Sequence, residues 1–454
     1  MRNRFSATEA GTARLEESMK KRMILLLSVL CVLCLLTPTF SQAEDQYTLE
    51  RMVVLSRHNI RSPLSAPDSM LYNITPHTWF EWTSKTSELS LRGEVLETMM
   101  GQYFRKYLEK SGLFPANYQP ADGAVRIYAN AKQRTIATAR YFSAGLFPVS
   151  LVPVEVHAPY DTMDPVFSPV LTFVNDAYSE DATAQIAEMG GVAGLPGIYA
   201  KAADAIALLM DVTDMEESEA YRAGTYGDWT SNEMSMIFEE GKEPRMNGVV
   251  GKAVHVADAM TLQYYEEKDA QKAAFGHDLT LQDWQKIHSV ADAYTDALFT
   301  APLVAVNVAH PLLKEIRSEL STEGRQFAFL CGHDSNVASV LAALNVKEYL
   351  LEDAVEQETP IGVKVVFERY LDKEAKAWYK VCLVYQNPEQ LRTMAPLTLD
   401  NPPSVFALAF EGAPANADGM IAEEDLLKLF DDAISAYDEL PEKYEAQPQE
   451  NEAA

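Results

Sequence analysis

Residues 53–63 read VVLSRHNIRSP, in which a short apolar run is followed at once by Arg57, His58 and Arg61. Together with the residues before it, this run predicts a buried β-strand over 47–58. Strands of an open α/β sheet present ligand-binding groups at their carboxyl ends. The two arginines and the histidine are therefore predicted to lie at a binding site.

Strand and helix patterns alternate at both ends of the chain, whereas helical patterns with little strand signal fill the region between about 160 and 300. Further predicted strands are 124–130, 325–332, 363–370 and 378–386, and the predicted helices beside them are 89–108, 135–147 and 335–344. The predicted fold class is α/β, with a mostly parallel central sheet flanked by helices and a smaller all-helical inserted domain. We assign 44–160 and 300–440 to the α/β domain, 161–299 to the inserted domain and 441–454 to a disordered acidic tail.

The N-terminus has the features of a secretory signal. Three basic residues, Lys20 to Arg22, precede an apolar run over 24–36, and small residues follow up to Ala43. Thirteen residues are too few to span a bilayer of about 30 Å, but they match the core of a signal peptide. We therefore predict that 1–43 is a cleaved signal and that the mature protein is soluble and exported.

Composition limits the possible partners and the role of the cysteines. The formal net charge is −28 over 454 residues, and no Lys/Arg-rich block occurs after the N-terminus, which argues against binding to nucleic acid or to an anionic membrane surface. Cys331 and Cys382 are the cysteines that follow the signal, and each lies in an apolar strand-like run. Two buried thiols and one disulfide between neighbouring strands both fit this pattern.

Two further segments repeat the arrangement of the opening stretch. The run FAFLCGHDSN (327–336) ends a predicted strand and brings His333 and Asp334 to the start of a helix. Arg134 in QRTIATA (133–139) also follows a predicted strand. Three strand ends thus supply three arginines, two histidines and one aspartate.

This set of side chains predicts chemistry on a phosphate monoester. Arg57, Arg61 and Arg134 stay charged and present planar forks to phosphate oxygens. His58 is the predicted nucleophile, because a neutral imidazole nitrogen can attack phosphorus and form a phosphohistidine that water later hydrolyses. Asp334 is the predicted acid that protonates the leaving oxygen.

The same motifs carry a resemblance to a known family. RHNIRSP (57–63) resembles the RHGxRxP motif of the histidine acid phosphatases, and GHDSN (332–336) resembles their distal HD motif, with Arg134 between them in the family's order. Asn59 departs from the glycine that most of the family has at this place, and RHN is similar to the bacterial periplasmic glucose-1-phosphatase branch. The resemblance extends from about Tyr47 to about Ala436.

The resemblance implies a phosphoglycerate-mutase-like fold, a periplasmic location and hydrolysis of phosphate monoesters without a cofactor or metal. Arg57, Arg61, Arg134 and His333 match the family's phosphate pocket, His58 its nucleophile and Asp334 its proton donor. Glu243 in KEPRMNGVV matches an acidic residue that the glucose-1-phosphatases bring to the substrate from the helical domain, while a solvated loop carboxylate is the alternative reading. The expected ligand is a small-molecule phosphate monoester, with no membrane contact after signal cleavage and no prediction of oligomeric state.

Several alternatives remain at this point. Sugar 1-phosphates are the leading substrates, and phytate or a broad range of monoesters is the alternative. A phosphomutase fits less well, since the GHD aspartate and the signal peptide argue against it. A non-catalytic phosphate-binding protein would be expected to lack His58 or Asp334, and both are present.

Overall fold

The strands that carry the predicted pocket residues form the centre of one eight-stranded sheet in the computed structural model, which describes residues 46–445. The strands of this sheet are β1 (Tyr47–Arg57), β2 (Val125–Ala129), β3 (Val154–Glu155), β6 (Phe327–Gly332), β7 (Lys364–Asp372), β8 (Ala377–Tyr385), β9 (Ser404–Ala407) and β10 (Ile421–Ala422). A separate pair is formed by β4 (Ser235–Ile237) and β5 (Arg245–Asn247).

Most of the helices lie in the connections between these strands, and the last two follow β10. They are α1 (Met70–Asn73), α2 (Leu91–Lys110), α3 (Gln133–Leu146), α4 (Asp176–Met189), α5 (Leu195–Val212), α6 (Glu219–Arg222), α7 (Val249–Glu266), α8 (Ala270–Ala273), α9 (Leu281–Phe299), α10 (Pro302–Ser321), α11 (Asp334–Ala343), α12 (Pro388–Thr393), α13 (Glu423–Asp438) and α14 (Leu440–Glu445). Two short 3₁₀ turns, Gly191–Ala193 and Met215–Glu217, flank α5.

The strand order is β10-β8-β7-β1-β6-β2-β3, with β9 also paired to β8. The β1–β6, β6–β2 and β2–β3 pairs are parallel, whereas β8 runs antiparallel to β7, β9 and β10. Central strands buried on both faces explain the continuous apolar runs, since Val53, Val54 and Leu55 are fully buried. The predicted α/β fold class with helices flanking the sheet is confirmed.

The register of the parallel strands places three of the predicted motifs at one edge. Arg57 lies opposite Gly332 in the β1–β6 pair, and Ala129 lies opposite Cys331 in the β2–β6 pair. All three strands therefore end together, and the residues that follow them meet above the sheet.

The inserted segment is mainly helical, but it is not all-helical as predicted. The strands β4 and β5 form a short antiparallel pair, in which Met236 lies opposite Met246. Both methionines contact the hydrophobic core of the helical region, which favours a hairpin over a free loop. The described residues 49–445 belong to one compact unit, and the boundaries of an inserted domain stay a prediction.

Part of the segment that was predicted to be a disordered tail is helical. Residues 441–445 lie in helix α14, where Leu440 and Tyr444 are buried on one face and the Tyr444 hydroxyl donates to Asp181 Oδ2 at 2.9 Å. The apolar spacing of these two residues was hidden by the acidic composition around them. The remaining tail, 446–454, and the predicted signal, 1–43, lie outside the described residues.

Cys331 and Cys382 are both free and buried, so the buried-thiol interpretation is confirmed. They lie on β6 and β8, which β1 and β7 separate in the sheet. Within residues 46–445 no single helix is long and apolar enough to cross a membrane. Helices α9 and α10, which are bent by 82° relative to each other, reach the required length and hydropathy only when they are taken together.

Candidate active site

The six predicted pocket residues lie around the common strand edge. Arg57 Nη2 lies 3.1 Å from Asp334 Oδ2, and the rings of His58 and His333 meet edge to face with centroids 5.4 Å apart. Arg134, in the first turn of α3, places its Nη2 3.4 Å from His333 Nδ1. The geometry therefore brings together residues that are up to 277 positions apart in the chain (57 to 334).

His58 is held with one ring nitrogen available for attack. Its Nδ1 lies 2.8 Å from the carbonyl oxygen of Asn59, and since a carbonyl only accepts, Nδ1 carries the proton and Nε2 keeps its lone pair. Burial lowers the pKa of His58 well below its ordinary value, and the charges of Arg134, His333 and Arg61 lower it further. Both influences favour the neutral ring, which is the form that a nucleophile needs.

Each of the three arginines has a buried donor without a partner. The Nε atoms of Arg57, Arg61 and Arg134 are buried and have no hydrogen-bond partner among residues 46–445. Burial lowers the pKa of Arg134 to about 10, and the nearby charge of Arg61 contributes to the same shift. Buried donors of like charge need an acceptor anion, and a phosphoryl group has the matching oxygens.

His333 adds a fourth donor. The side-chain amide of Asn130 is oriented by the backbone N–H groups of Ala131 and Asp164, which donate to its Oδ1, so Nδ2 donates to His333 Nε2 at 2.6 Å. The proton of the neutral imidazole then resides on Nδ1, facing the Arg134 guanidinium. Two donors at this distance are suited to share one oxygen of an anion.

Asp334 is an anion in the free pocket. Burial alone would raise its pKa, but Arg57, Arg61 and His333 outweigh it and lower the pKa to about 2. Its Oδ1 accepts from the N–H of Ser335 at 2.8 Å at the start of α11. The nearby cations thus outweigh burial in setting the charge of Asp334 until a bound anion compensates them.

Sequence reasoning missed the partners that hold the arginines. Asp258 on α7 accepts from Nη1 and Nη2 of Arg61, both at 3.0 Å, in a bidentate pair. Arg57 Nη1 donates to the carbonyl of Thr359. Asp258 lies in an ordinary helical pattern, so no local signal distinguished it from a solvated carboxylate.

Glu243 lies in the connection between β4 and β5 and is exposed to solvent. Surrounding protein atoms nevertheless raise its pKa by desolvation and Asp334 raises it further, while Arg134 and Lys132 lower it. These influences place its carboxylate within electrostatic range of the pocket. Its role in substrate choice stays a prediction.

A group of carboxyl groups lies beside the pocket. Burial and then the neighbouring Glu358 and Asp296 raise the pKa of Asp292 well above its ordinary value. Burial and then Asp296 raise the pKa of Glu358 to about 8, so this group holds a proton at neutral pH. In the described range no cluster of three or more His, Cys, Asp or Glu side chains is arranged to hold a metal ion.

Comparisons with known proteins identify the family of this chain. The profile of the histidine phosphatase superfamily (branch 2) matches residues 48–186 and 212–386. Glucose-1-phosphatase of Providencia rettgeri is 34% identical over 419 residues, which cover 90% of this chain and 98% of that protein. Glucose-1-phosphatase of Salmonella typhimurium is 34% identical over 404 residues, with coverage of 88% and 96%. Among solved structures, the apo form of Hafnia alvei phytase has a TM-score of 0.78 at 28% identity and covers 86% of this chain and 98% of that one.

Proposed function

The chain belongs to the histidine phosphatase superfamily, branch 2, and is a phosphatase of small phosphate esters, and we propose that it works by transferring the phosphoryl group to His58. The observation that carries this proposal is the free Nε2 lone pair of a neutral His58 among three arginines with unpartnered buried Nε atoms. The arginines offset the charge on the phosphoryl oxygens and hold phosphorus in line with the nucleophile.

The reaction has two steps. In the first, His58 Nε2 bonds to phosphorus, the bond from phosphorus to the ester oxygen breaks, and Asp334 gives its proton to the leaving oxygen. In the second, the Asp334 carboxylate takes a proton from water, the water oxygen bonds to phosphorus and the P–N bond breaks. Asp334 gives this proton back to the phosphate, which leaves as its monoanion, and His58 and Asp334 return to their protonation states in the free pocket.

Substrate binding supplies the proton that Asp334 lacks in the free pocket. A phosphate monoester has a second pKa of about 6, so it is largely the monoanion under acidic conditions. Once the phosphate oxygens offset the positive charge of the arginines, the pKa of Asp334 rises. The proton of the bound monoanion can then move to the carboxyl group. This order of events favours an acidic optimum.

We propose sugar 1-phosphates as the preferred substrates, with phytate as the second candidate. Two relatives at 34% identity are glucose-1-phosphatases, whereas the solved structure at 28% identity is a phytase. A carboxylate at Glu243 would accept hydrogen bonds from sugar hydroxyls and repel the outer phosphates of phytate. The predicted signal over 1–43 and the acidic mature chain support action in the periplasm.

Trapping the covalent intermediate tests the proposal. Wild-type protein mixed with phosphate-labelled substrate and quenched in alkali should carry acid-labile, base-stable label, and His58→Ala should carry none. The turnover of His58→Ala should fall below about a hundredth of the wild-type rate. Wild-type turnover without any label on the protein would contradict the mechanism.

A further inference from the structure

Tyr294 lies on α9, a helix that contacts the elements of both Asp334 and Glu243. The helix packs against α11, which begins at Asp334, and against β5, which begins two residues after Glu243. Residues 291–296 in α9 are all half-buried, whereas buried side chains precede and follow them on the same helix. This part of α9 therefore borders open space close to the pocket and to the β4–β5 connection.

The ring of Tyr294 is held by packing, while its hydroxyl group is left open. The ring packs against the hydrophobic core of the helical region. The hydroxyl makes no hydrogen bond to another residue within 46–445, and it is not one of the buried polar atoms that lack a partner, so it is accessible to solvent. A fixed apolar ring with an accessible polar tip is suited to contact a ligand.

The Tyr294 hydroxyl lies on the side of the pocket where the leaving group would sit. Burial raises the pKa of Tyr294, and the charges of Glu243 and Asp334 raise it further, whereas no arginine of the pocket contributes. The hydroxyl is therefore within electrostatic range of both carboxylates and lies apart from the arginines that bind the phosphoryl group. The Asp334 side chain is 38% exposed, so the space beside it is open to the ester oxygen and to the group attached to that oxygen.

The chemistry of this side of the pocket matches a polyhydroxylated leaving group. A phenol can both donate and accept a hydrogen bond, and the Glu243 carboxylate can accept from further hydroxyl groups. A sugar carries several neighbouring hydroxyl groups that fit such partners. The p-nitrophenolate leaving group has no hydroxyl group to offer them, so it would pass the same space without these contacts.

We propose that Tyr294 is a specificity-determining residue, whose phenol hydrogen-bonds to a hydroxyl group of the leaving sugar and so holds the ester oxygen beside Asp334. This inference deepens the proposed function and rests on it, since it requires that a sugar phosphate is cleaved in the His58 pocket. Tyr294 occurs in AYTDALF (293–299), an ordinary helical pattern, so the sequence alone gave no sign of this role.

The test removes the hydroxyl group and keeps the ring. Tyr294→Phe should lower kcat/KM for glucose 1-phosphate by about three- to tenfold, which is the usual effect of one neutral hydrogen bond. Its kcat/KM for p-nitrophenyl phosphate and its inhibition constant for inorganic phosphate should stay within about 1.5-fold of wild type, because the arginines are unchanged. Tyr199→Phe is the matched control, since the Tyr199 ring packs against the same core and its hydroxyl donates to the Trp229 carbonyl at 3.3 Å. All three constants of this control should equal those of wild type.

A set of deoxy substrates identifies the hydroxyl group that Tyr294 contacts. Glucose 1-phosphates that lack the hydroxyl at C2, C3, C4 or C6 are compared with the parent sugar phosphate in both proteins. Wild-type protein should lose about three- to tenfold in kcat/KM on one of these analogues, and Tyr294→Phe should lose less than about twofold on the same analogue, because the contact is already absent. Such coupling between a protein hydroxyl and a substrate hydroxyl would not arise from a purely structural role.

The outcomes separate this inference from the proposed function. Unchanged kcat/KM for glucose 1-phosphate in Tyr294→Phe, or an equal loss on p-nitrophenyl phosphate, would overturn the specificity role. The same factor between the two proteins on every deoxy analogue would overturn it as well. Absence of covalent label in the wild-type protein would instead overturn the nucleophilic role of His58, and wild-type preference for phytate would overturn the proposed substrate, while the deoxy comparison still decides the role of Tyr294.

Discussion

Replacing Asp334 by asparagine separates proton donation from phosphate binding. The carboxylate touches Arg57 Nη2 through Oδ2 at 3.1 Å and Ser335 N–H through Oδ1 at 2.8 Å. An asparagine has the same shape and can still accept from Ser335, but it has no proton to give to a leaving oxygen. The variant should therefore fail most where the leaving group needs that proton.

The size of the electrostatic change follows from the Arg57–Asp334 distance. At 3.1 Å, opposite charges attract by about 5 kcal/mol at an effective dielectric constant of 20 and by about 1 kcal/mol in bulk water. Because the Asp334 side chain is 38% exposed, the lower part of this range applies best. A substrate that compensates the charge of Arg57 should thus raise the pKa of Asp334 by about 1 to 2 from its free value of about 2. Protonation in the substrate complex at mildly acidic pH is then accessible.

The assay measures kcat/KM for glucose 1-phosphate and for p-nitrophenyl phosphate under mildly acidic conditions. General acid catalysis contributes about 10²- to 10⁴-fold, so Asp334→Asn should lose this factor on the sugar phosphate and less than about tenfold on the nitrophenyl ester, whose leaving group hardly needs a proton. Arg61→Ala serves as the control, because it weakens the clamp on the phosphate that both substrates share. Equal losses on both substrates in Asp334→Asn would refute its assignment as the proton donor.

Three further predictions address specificity, metal and pH. Glu243→Gln should raise kcat/KM on phytate relative to glucose 1-phosphate by at least about twofold, and an unchanged ratio would leave Glu243 without a role in substrate choice. EDTA should leave the rate unchanged, because arginines supply the charge that metal ions provide in other phosphatases, and a loss restored by added metal would contradict this. Burial and Asp296 raise the pKa of Glu358 from 4.5 to about 8. Between these pH values the folded chain keeps a proton that the unfolded chain loses. The free energy of unfolding should therefore fall as the pH rises from 4.5 to about 8. Urea unfolding of Glu358→Gln should show a flatter decline, and an identical pH profile would argue against this assignment.

The pocket motifs could be predicted from the sequence because each one is local. Strand and catalytic side chains follow one another within about ten residues in 53–63 and in 327–336, where a helix also begins, and strand ends in a parallel sheet meet at one edge. The alternation of strands and helices likewise predicted the α/β fold class. Helix and strand limits were displaced by one or two residues, since terminal turns depend on caps and neighbours.

Partnerships across the chain were decided only by the tertiary structure. The Arg61–Asp258 pair joins residues 197 positions apart, and the Lys364–Glu97 pair joins residues 267 positions apart. Neither carboxylate has a local pattern that marks it, because its role comes from a guanidinium or ammonium group that folding brings within hydrogen-bond distance. The β4–β5 pair and the buried Tyr444 were missed for the same reason.

Protonation states also belong to the folded chain. Residue types alone identified His58 and Asp334 as nucleophile and acid, but the sum of burial and nearby charge decides which form each group takes. Burial and the arginines keep His58 neutral, while the same arginines outweigh burial and keep Asp334 ionised. The sequence thus determined which groups are present at the edge of the sheet, and the three-dimensional distances between them determined their charge, because electrostatic energy depends on separation in space and not along the chain.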